Sequence, residues 1–164
     1  MDIKNEIWYD YAEKKYKNYG QTSHKGGEVD LEVNIIKGLK ICANYTYTCA
    51  KNESGSDKGL YLQNIPEHAG NFTLKYQSGF GLSAQLMLNC IGASYLDAKN
   101  TKVLPGYNPV DLRISYKRDW YSLFLGIDNL FDEQYSAYSY ISSNKKYYAP
   151  APGRTFSGGL GIQF

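Results

Sequence analysis

The sequence predicts an all-β protein, an antiparallel up-and-down transmembrane β-barrel with about eight strands present. Three observations predict it. Eight segments alternate apolar and polar side chains with a period of two, the repeat of a strand with one greasy and one wet face. The connections between them alternate short and long, the asymmetry of bacterial outer-membrane barrels. Tyrosine is heavily used, 17 residues against 6 Phe and 2 Trp, and its apolar ring with a wet tip suits a lipid–water boundary.

Residues 3–11 (IKNEIWYDY) form the first segment. Residues 22–36 follow, with Val29, Leu31, Val33 and Ile35 on one face and Glu28, Asp30, Glu32 and Asn34 on the other. A tight turn at Lys37-Gly38 leads into 39–50, where Leu39, Ile41, Ala43, Tyr45 and Tyr47 oppose Lys40, Asn44, Thr46 and Thr48. Segment 67–77 sets Phe72, Leu74 and Tyr76 against Asn71, Thr73, Lys75 and Gln77. After a short SGFG turn, 82–95 sets Leu82, Ala84, Leu86 and Leu88 against Ser83, Gln85 and Asn89. Residues 108–117 place Val110, Leu112, Ile114 and Tyr116 opposite Asp111, Arg113, Ser115 and Lys117. A KRDW turn precedes 120–130, with Tyr121, Leu123, Leu125 and Ile127 opposite Ser122, Gly126 and Asp128. The last strand is 153–164, where Phe156, Gly158, Leu160, Ile162 and Phe164 alternate with Thr155, Ser157, Gly159, Gly161 and Gln163. Residues 12–21, 51–66, 96–107 and 131–152 are the long polar connections, read as loops. A soluble β-sandwich alternates too, but segments of ten or more residues exceed its usual strand of five or six.

Composition excludes several classes. A net charge of +2, with scattered lysines and arginines, invites no nucleic-acid partner. A mean hydropathy of −0.49 excludes a helical membrane protein, because no run approaches the ~20 apolar residues of a spanning helix. Met1 is followed by DIKNEIWYDY, which lacks the basic start and apolar core of a secretory leader. Cys42 and Cys49 lie seven residues apart on one segment and face opposite sides, so with Cys90 they read as small apolar fillers. With only His24 and His68 as imidazoles, no catalytic constellation forms. The row Glu28, Asp30 and Glu32 reads as a polar barrel wall, with a metal site the weaker alternative. Arg113 and Lys117 would meet it only across a small lumen.

The run Asp128-Asn129-Leu130-Phe131-Asp132-Glu133-Gln134-Tyr135, then Pro150-Ala151-Pro152-Gly153-Arg154-Thr155-Phe156 and a terminal Phe164, resembles the C-terminal end of a TonB-dependent outer-membrane receptor. Tyr19-Gly20-Gln21-Thr22, Lys25-Gly26-Gly27-Glu28, Tyr45-Thr46-Tyr47-Thr48, Ile65-Pro66-Glu67-His68 and Pro105-Gly106-Tyr107 resemble earlier landmarks in family order. The resemblance implies a 22-stranded barrel, with this chain as its C-terminal part, the plug and TonB box absent from 1–164, and no transport by this chain alone. It implies partners: outer-membrane lipid, the barrel-assembly machinery, the rest of the receptor, TonB through it, and an iron chelate such as a siderophore or haem. No cofactor is expected, and no enzymatic activity, since the inward rows lack a His or Ser placed near a base.

Within that resemblance, Asn129, Leu130, Phe131, Asp132, Pro152, Gly153, Arg154 and Phe164 carry the motif and assembly. Asn129 and Asp132 are expected to bond their own backbone and stop a strand. Leu130 and Phe131 are expected to pack where the strand leaves lipid. Pro150 and Pro152 exclude ladder bonds just before the last strand, and Arg154 is a candidate tie for the preceding loop. Tyr61, Tyr138, Tyr140, Lys145, Lys146, Tyr147 and Tyr148 are the candidate ligand contacts, because lysines beside tyrosines can hold an anionic aromatic chelate. The alternative is a self-contained eight-stranded barrel with a structural or adhesive role, which strand pairing between its first and last segments would mark.

Overall fold

The computed structural model describes residues 1–10, 14–18, 20–142 and 145–163. Its strands, in chain order, are β1 (Asp2–Lys4), β2 (Ile7–Asp10), β3 (Lys15–Asn18), β4 (Gln21–Ile36), β5 (Leu39–Asn52), β6 (His68–Gln77), β7 (Leu82–Ile91), β8 (Ser94–Tyr95), β9 (Val103–Leu104), β10 (Val110–Lys117), β11 (Tyr121–Asp128), β12 (Ser136–Ser142), β13 (Lys145–Pro150) and β14 (Thr155–Ile162). Eight of them form one antiparallel sheet in the order β1-β4-β5-β6-β7-β10-β11-β14, so the up-and-down reading holds. The short turns sit where expected. Gly38 and Gly81 adopt positive φ, 82° and 98°, and a Cβ at either would run into a carbonyl of the adjacent strand.

The period-two pattern sets the register. Val33, Ile41, Leu74, Leu86, Leu112, Ile127 and Phe156 form one row across seven strands. Leu31, Ala43, Phe72, Leu88 and Val110 form the next. This apolar face is not covered by protein: Val29, Leu125 and Phe156 are 65%, 66% and 71% exposed. Among the described residues the buried hydrophobic side chains are Ala50, Leu62, Leu96 and Leu104, all at the long-connection end. A sheet with its greasy rows outward has the hydrophobic arrangement of a barrel wall in lipid.

The other face is polar and bonded. Thr73 donates to Asn71 at 2.8 Å, Asn71 to Asn89 at 2.6 Å, and Asn89 to Asp111 at 3.4 Å. Charge is balanced locally. Lys40 pairs with Glu32 at 2.5 Å, and Arg113 pairs with Asp128. The expected balance across a lumen, Glu28, Asp30 and Glu32 against Arg113 and Lys117, is thus replaced for Glu32 and Arg113 by near neighbours, because diagonal positions on one sheet face are within reach of a long side chain.

Four expectations change in detail. Segment 3–11 breaks into β1 and β2 at Asn5, whose φ is 61°. Residues 12–21 hold β3, which pairs with β2 from Ile7↔Asn18 to Asp10↔Lys15. Segment 82–95 ends at Ile91, beyond which Ser94–Tyr95 pairs with Val103–Leu104 inside the expected loop 96–107. The expected loop 131–152 carries the β12–β13 hairpin, and Pro150 lies within it opposite Ser136. These hairpins escaped a rule built on apolar alternation because their own alternation is polar and aromatic.

The sheet is open. β1 covers only Gln21–Ser23 of β4, and no pairing joins β1 to β14 among the described residues. In hydrocarbon each unpartnered backbone group costs several kcal/mol, so this sheet calls for strands on both sides, which argues against a self-closed eight-stranded barrel.

Candidate functional site

At the long-connection end the loops gather over the polar mouth of the sheet. Asn100 reads Tyr61 as a strand would: it accepts the Tyr61 N–H at 2.7 Å and donates to its carbonyl at 2.9 Å. Asn64 N–H donates to the Tyr95 carbonyl at 2.8 Å, and Gln63 donates to the Leu96 carbonyl at 2.8 Å. Lys99 pairs with Asp57. Leu62 and Leu96, 3% exposed each, seal the contact beneath.

These loops and two hairpins enclose a basin of about 930 Å³. Trp8, Tyr9 and Lys17 come from β2 and β3, and Tyr138, Tyr140 and Ile141 from β12. Lys99 and Lys102 face it from one loop, and Glu6, Asp57 and Asp97 line it as well. All three carboxylates are held by partners. Asp97 accepts the N–H groups of Thr101 and Lys102 at 3.0 and 2.7 Å. The Lys99 ammonium, first, and the Ser56 hydroxyl hold the Asp57 carboxyl below its ordinary value. Burial works to raise the Glu6 carboxyl, but bonds from Thr22 and His24 (3.1 Å from His24) outweigh it and leave it lowered.

The expected ligand residues divide. Tyr138 and Tyr140 line the basin, and Tyr147 stacks on Tyr140 at 5.1 Å and 10°. Lys145 and Lys146 lie exposed on β13. Tyr148 lines a separate hollow of about 330 Å³ with Leu104, Tyr135 and Pro150. Tyr61 is engaged elsewhere: it stacks on Tyr95 at 5.7 Å, Lys51 stands 4.6 Å over its ring, and its hydroxyl bonds to Glu67, which raises its pKa. Trp8, Tyr9, Lys17, Lys99 and Lys102 line the basin from outside the expected set. The adjacent aromatics Trp8-Tyr9 are the signal for it in the sequence, on a segment that reads as one continuous strand.

The motif residues act as a clasp below the basin. Asn129 has φ 53° and is 4% exposed. Its side chain accepts the Glu133 N–H at 2.8 Å and donates to the Glu133 carbonyl at 2.9 Å, which ends β11 at Asp128 as expected. Asp132, φ 56°, reaches instead to the chain beyond the hairpin, accepting the Arg154 N–H at 2.8 Å. The tie at Arg154 is therefore made by its backbone. Gly153 lies under that bond, since a Cβ there would come 2.7 Å from Asp132 Oδ1. Leu130 is half-buried, while Phe131 is 72% exposed. Pro152 lies between the hairpin and β14, its carbonyl 3.4 Å from Asn129 Nδ2. Phe164 lies outside the described residues.

The family described as TonB dependent receptor-like, beta-barrel, matches residues 1–130. The iron-regulated outer membrane virulence protein of Vibrio cholerae is 25% identical over 138 residues, 80% of this chain and 21% of that protein. The ferrioxamine B receptor of Salmonella typhimurium is 28% identical over 134 residues, 74% of this chain and 19% of that protein. The solved ferric yersiniabactin uptake receptor FyuA of Yersinia pestis superposes with a TM-score of 0.84 at 20% identity, over 99% of this chain and 26% of its own, and so shares the fold. The chain spans about a fifth of the length of the curated relatives it matches. With an outward apolar face, alternating turns and loops, and this match over most of its length, the chain belongs to the TonB-dependent receptor β-barrel family of the outer membrane.

Proposed function

We propose that residues 1–164 are the C-terminal wall of a TonB-dependent receptor that takes up an iron chelate, and that the basin at the long-connection end contributes to chelate capture. The observation that carries this reading is the meeting of Trp8, Tyr9, Tyr138 and Tyr140 with Lys17, Lys99 and Lys102 around one cavity of about 930 Å³. Aromatic faces stack on a flat chelate, and ammonium groups offset its charge. The relatives named as an iron-regulated protein and a ferrioxamine B receptor support iron as the cargo.

In this reading the open edges of β4 and β14 pair with further strands of the receptor. A plug and a TonB contact lie in the rest of the receptor, so the chain does not transport alone. Asn129 to Asp132, Pro152 to Arg154 and Phe164 serve assembly by the barrel-assembly machinery. No enzymatic step is assigned.

The test is uptake of radioactive ferric chelates by cells carrying the receptor with Tyr140→Ala or Trp8→Ala. Each stacked ring is worth ~1 kcal/mol, so half-saturation should rise roughly fivefold at unchanged receptor level. Unchanged uptake in both variants would remove the basin from the reading.

A further inference from the structure

The β2–β3 hairpin carries Trp8, Tyr9 and Lys17 to the basin, yet its two strands form a sheet of their own, apart from the eight-stranded wall. It leaves the wall between two residues with left-handed backbone, Asn5 at φ 61° and Gly20 at φ 81°. The Asn5 N–H donates to the Gly20 carbonyl, so the two lie side by side. Asn18 links them again: its amide donates to Asn5 Oδ1 at 3.3 Å, and its Oδ1 accepts the Gly20 N–H at 2.6 Å. Two adjacent pivots let a hairpin swing while its own ladder stays intact.

Glu6, next to the pivot, ties the hairpin back to β4. Its carboxylate accepts the Thr22 hydroxyl and stands 3.1 Å from His24 Nε2. An ionised carboxylate only accepts, so Nε2 carries the hydrogen. Thr22 is wholly buried, while the Glu6 and His24 side chains are 28% and 25% exposed, shielded from most of the solvent but open to protons.

The surroundings leave this pair to itself. Ala50 and Asn52 of β5 stand opposite His24 and Thr22, and Gly26 is the next inward position on β4. Asp2 and Lys4 of β1 lie opposite Ser23 and Gln21 and face the other way, while the Met1 ammonium donates to the His24 carbonyl at 2.6 Å. Lys17 of β3, and Asp57, Asp97, Lys99 and Lys102 from two loops, line the same basin, with Asp57 paired to Lys99. Burial works against an ionised Glu6, and the bonds from Thr22 and His24, with the charge of His24, outweigh it.

An imidazole ordinarily takes its second proton near pH ~6.5. A bond from a neutral ring to a carboxylate then becomes an ion pair, and hydrogen bonds between two charged groups are roughly twice as strong as neutral ones. We propose that Glu6 and His24 form a proton-operated latch: protonation of His24 draws the root of the β2–β3 hairpin onto β4 and holds Trp8, Tyr9 and Lys17 at the basin, and loss of that proton loosens the hairpin. The latch is strongest in mild acid, weakens as pH rises through the imidazole range, and fails in strong acid, where Glu6 itself is neutralised. It stands on its own geometry, and only its effect on cargo rests on chelate capture in the basin.

The test is amide hydrogen exchange of the protein in outer-membrane vesicles, in whatever assembly it forms and without chelate, at about pH 5.5 and about pH 8, on either side of the imidazole range. The Asn5 and Gln21 N–H groups report on the root, because they donate to the Gly20 carbonyl and to Ser54 Oγ. After correction for the intrinsic rate, both should exchange roughly fivefold faster at the higher pH, the size expected when a charged donor becomes a neutral one. His24→Gln, which keeps a donor but carries no charge, should remove that difference. Glu6→Gln should leave exchange fast at both pH values. Heat-modifiable migration on gels checks that the variants are folded, and the wild-type comparison needs no variant. Tyr140→Ala should leave this exchange unchanged, so the latch and chelate capture fail separately. Root exchange that does not differ between the two pH values in the wild type, or a difference that survives His24→Gln, overturns the proposal.

Discussion

Asp111 on β10 accepts the backbone N–H of Asn129 at 2.8 Å, fastening the end of β11 to its neighbour. The Leu130 N–H donates to the Val110 carbonyl alongside, and Glu133 accepts the Asn108 N–H at 3.0 Å. One short run of residues thus stops a strand, turns the chain and anchors the next loop.

Removing the Asn129 side chain therefore has a separable cost. Asn129→Ala loses both bonds to Glu133 and places a less tolerant residue at positive φ, for about 2–4 kcal/mol. Asn129→Gly keeps the backbone relaxed and loses only the bonds, about half of that. Urea titration of the membrane-inserted protein, followed by tryptophan fluorescence, should rank wild type above Gly above Ala. Equal stability of Ala and Gly would show that the conformation of Asn129 carries no strain.

Two adjacent glycines should behave oppositely. A Cβ on Gly26 would collide with the Tyr47 carbonyl on β5, whereas one on Gly27 meets nothing within 4 Å. Gly26→Ala is expected to part β4 from β5 locally and to cost ~1–3 kcal/mol, while Gly27→Ala should be neutral or slightly stabilising. The folded fraction on heat-modifiability gels measures both.

The loop end should loosen with acid. The lowered Asp57 carboxyl, held chiefly by Lys99, contributes fully above its unfolded value of about 4 and loses that contribution as pH falls through its lower folded value. Amide exchange at Leu60, whose N–H donates to the Asp57 carbonyl at 3.0 Å, should accelerate over that range beyond the intrinsic pH effect. Asp57→Asn should abolish the pH-dependent part.

Most of the sheet was legible because one constraint governs each strand: every second residue must face lipid. Leu123, Leu125 and Ile127, or Phe72 and Leu74, declare their side without any knowledge of the fold. The hairpins did not declare themselves. Lys15–Asn18 and Lys145–Pro150 sit outside the apolar belt, where no solvent contrast sorts one face from the other. The basin was half legible for the same reason. The chemistry of Tyr138 and Tyr140 marks them in the sequence, but their meeting with Trp8 and Lys17 depends on how distant loops fold over one another.

Accessibility along β11 tests most directly that this sheet is a wall between lipid and a wet interior. In a background with Cys42, Cys49 and Cys90 replaced by Ser, single cysteines are placed at 122 to 128 and probed in intact outer membranes with a membrane-impermeant maleimide. A barrel wall labels with a period of two: positions 122, 124, 126 and 128 react, and 123, 125 and 127 stay protected until detergent is added. Uniform labelling of all seven positions, or labelling of 123, 125 and 127 without detergent, would contradict it.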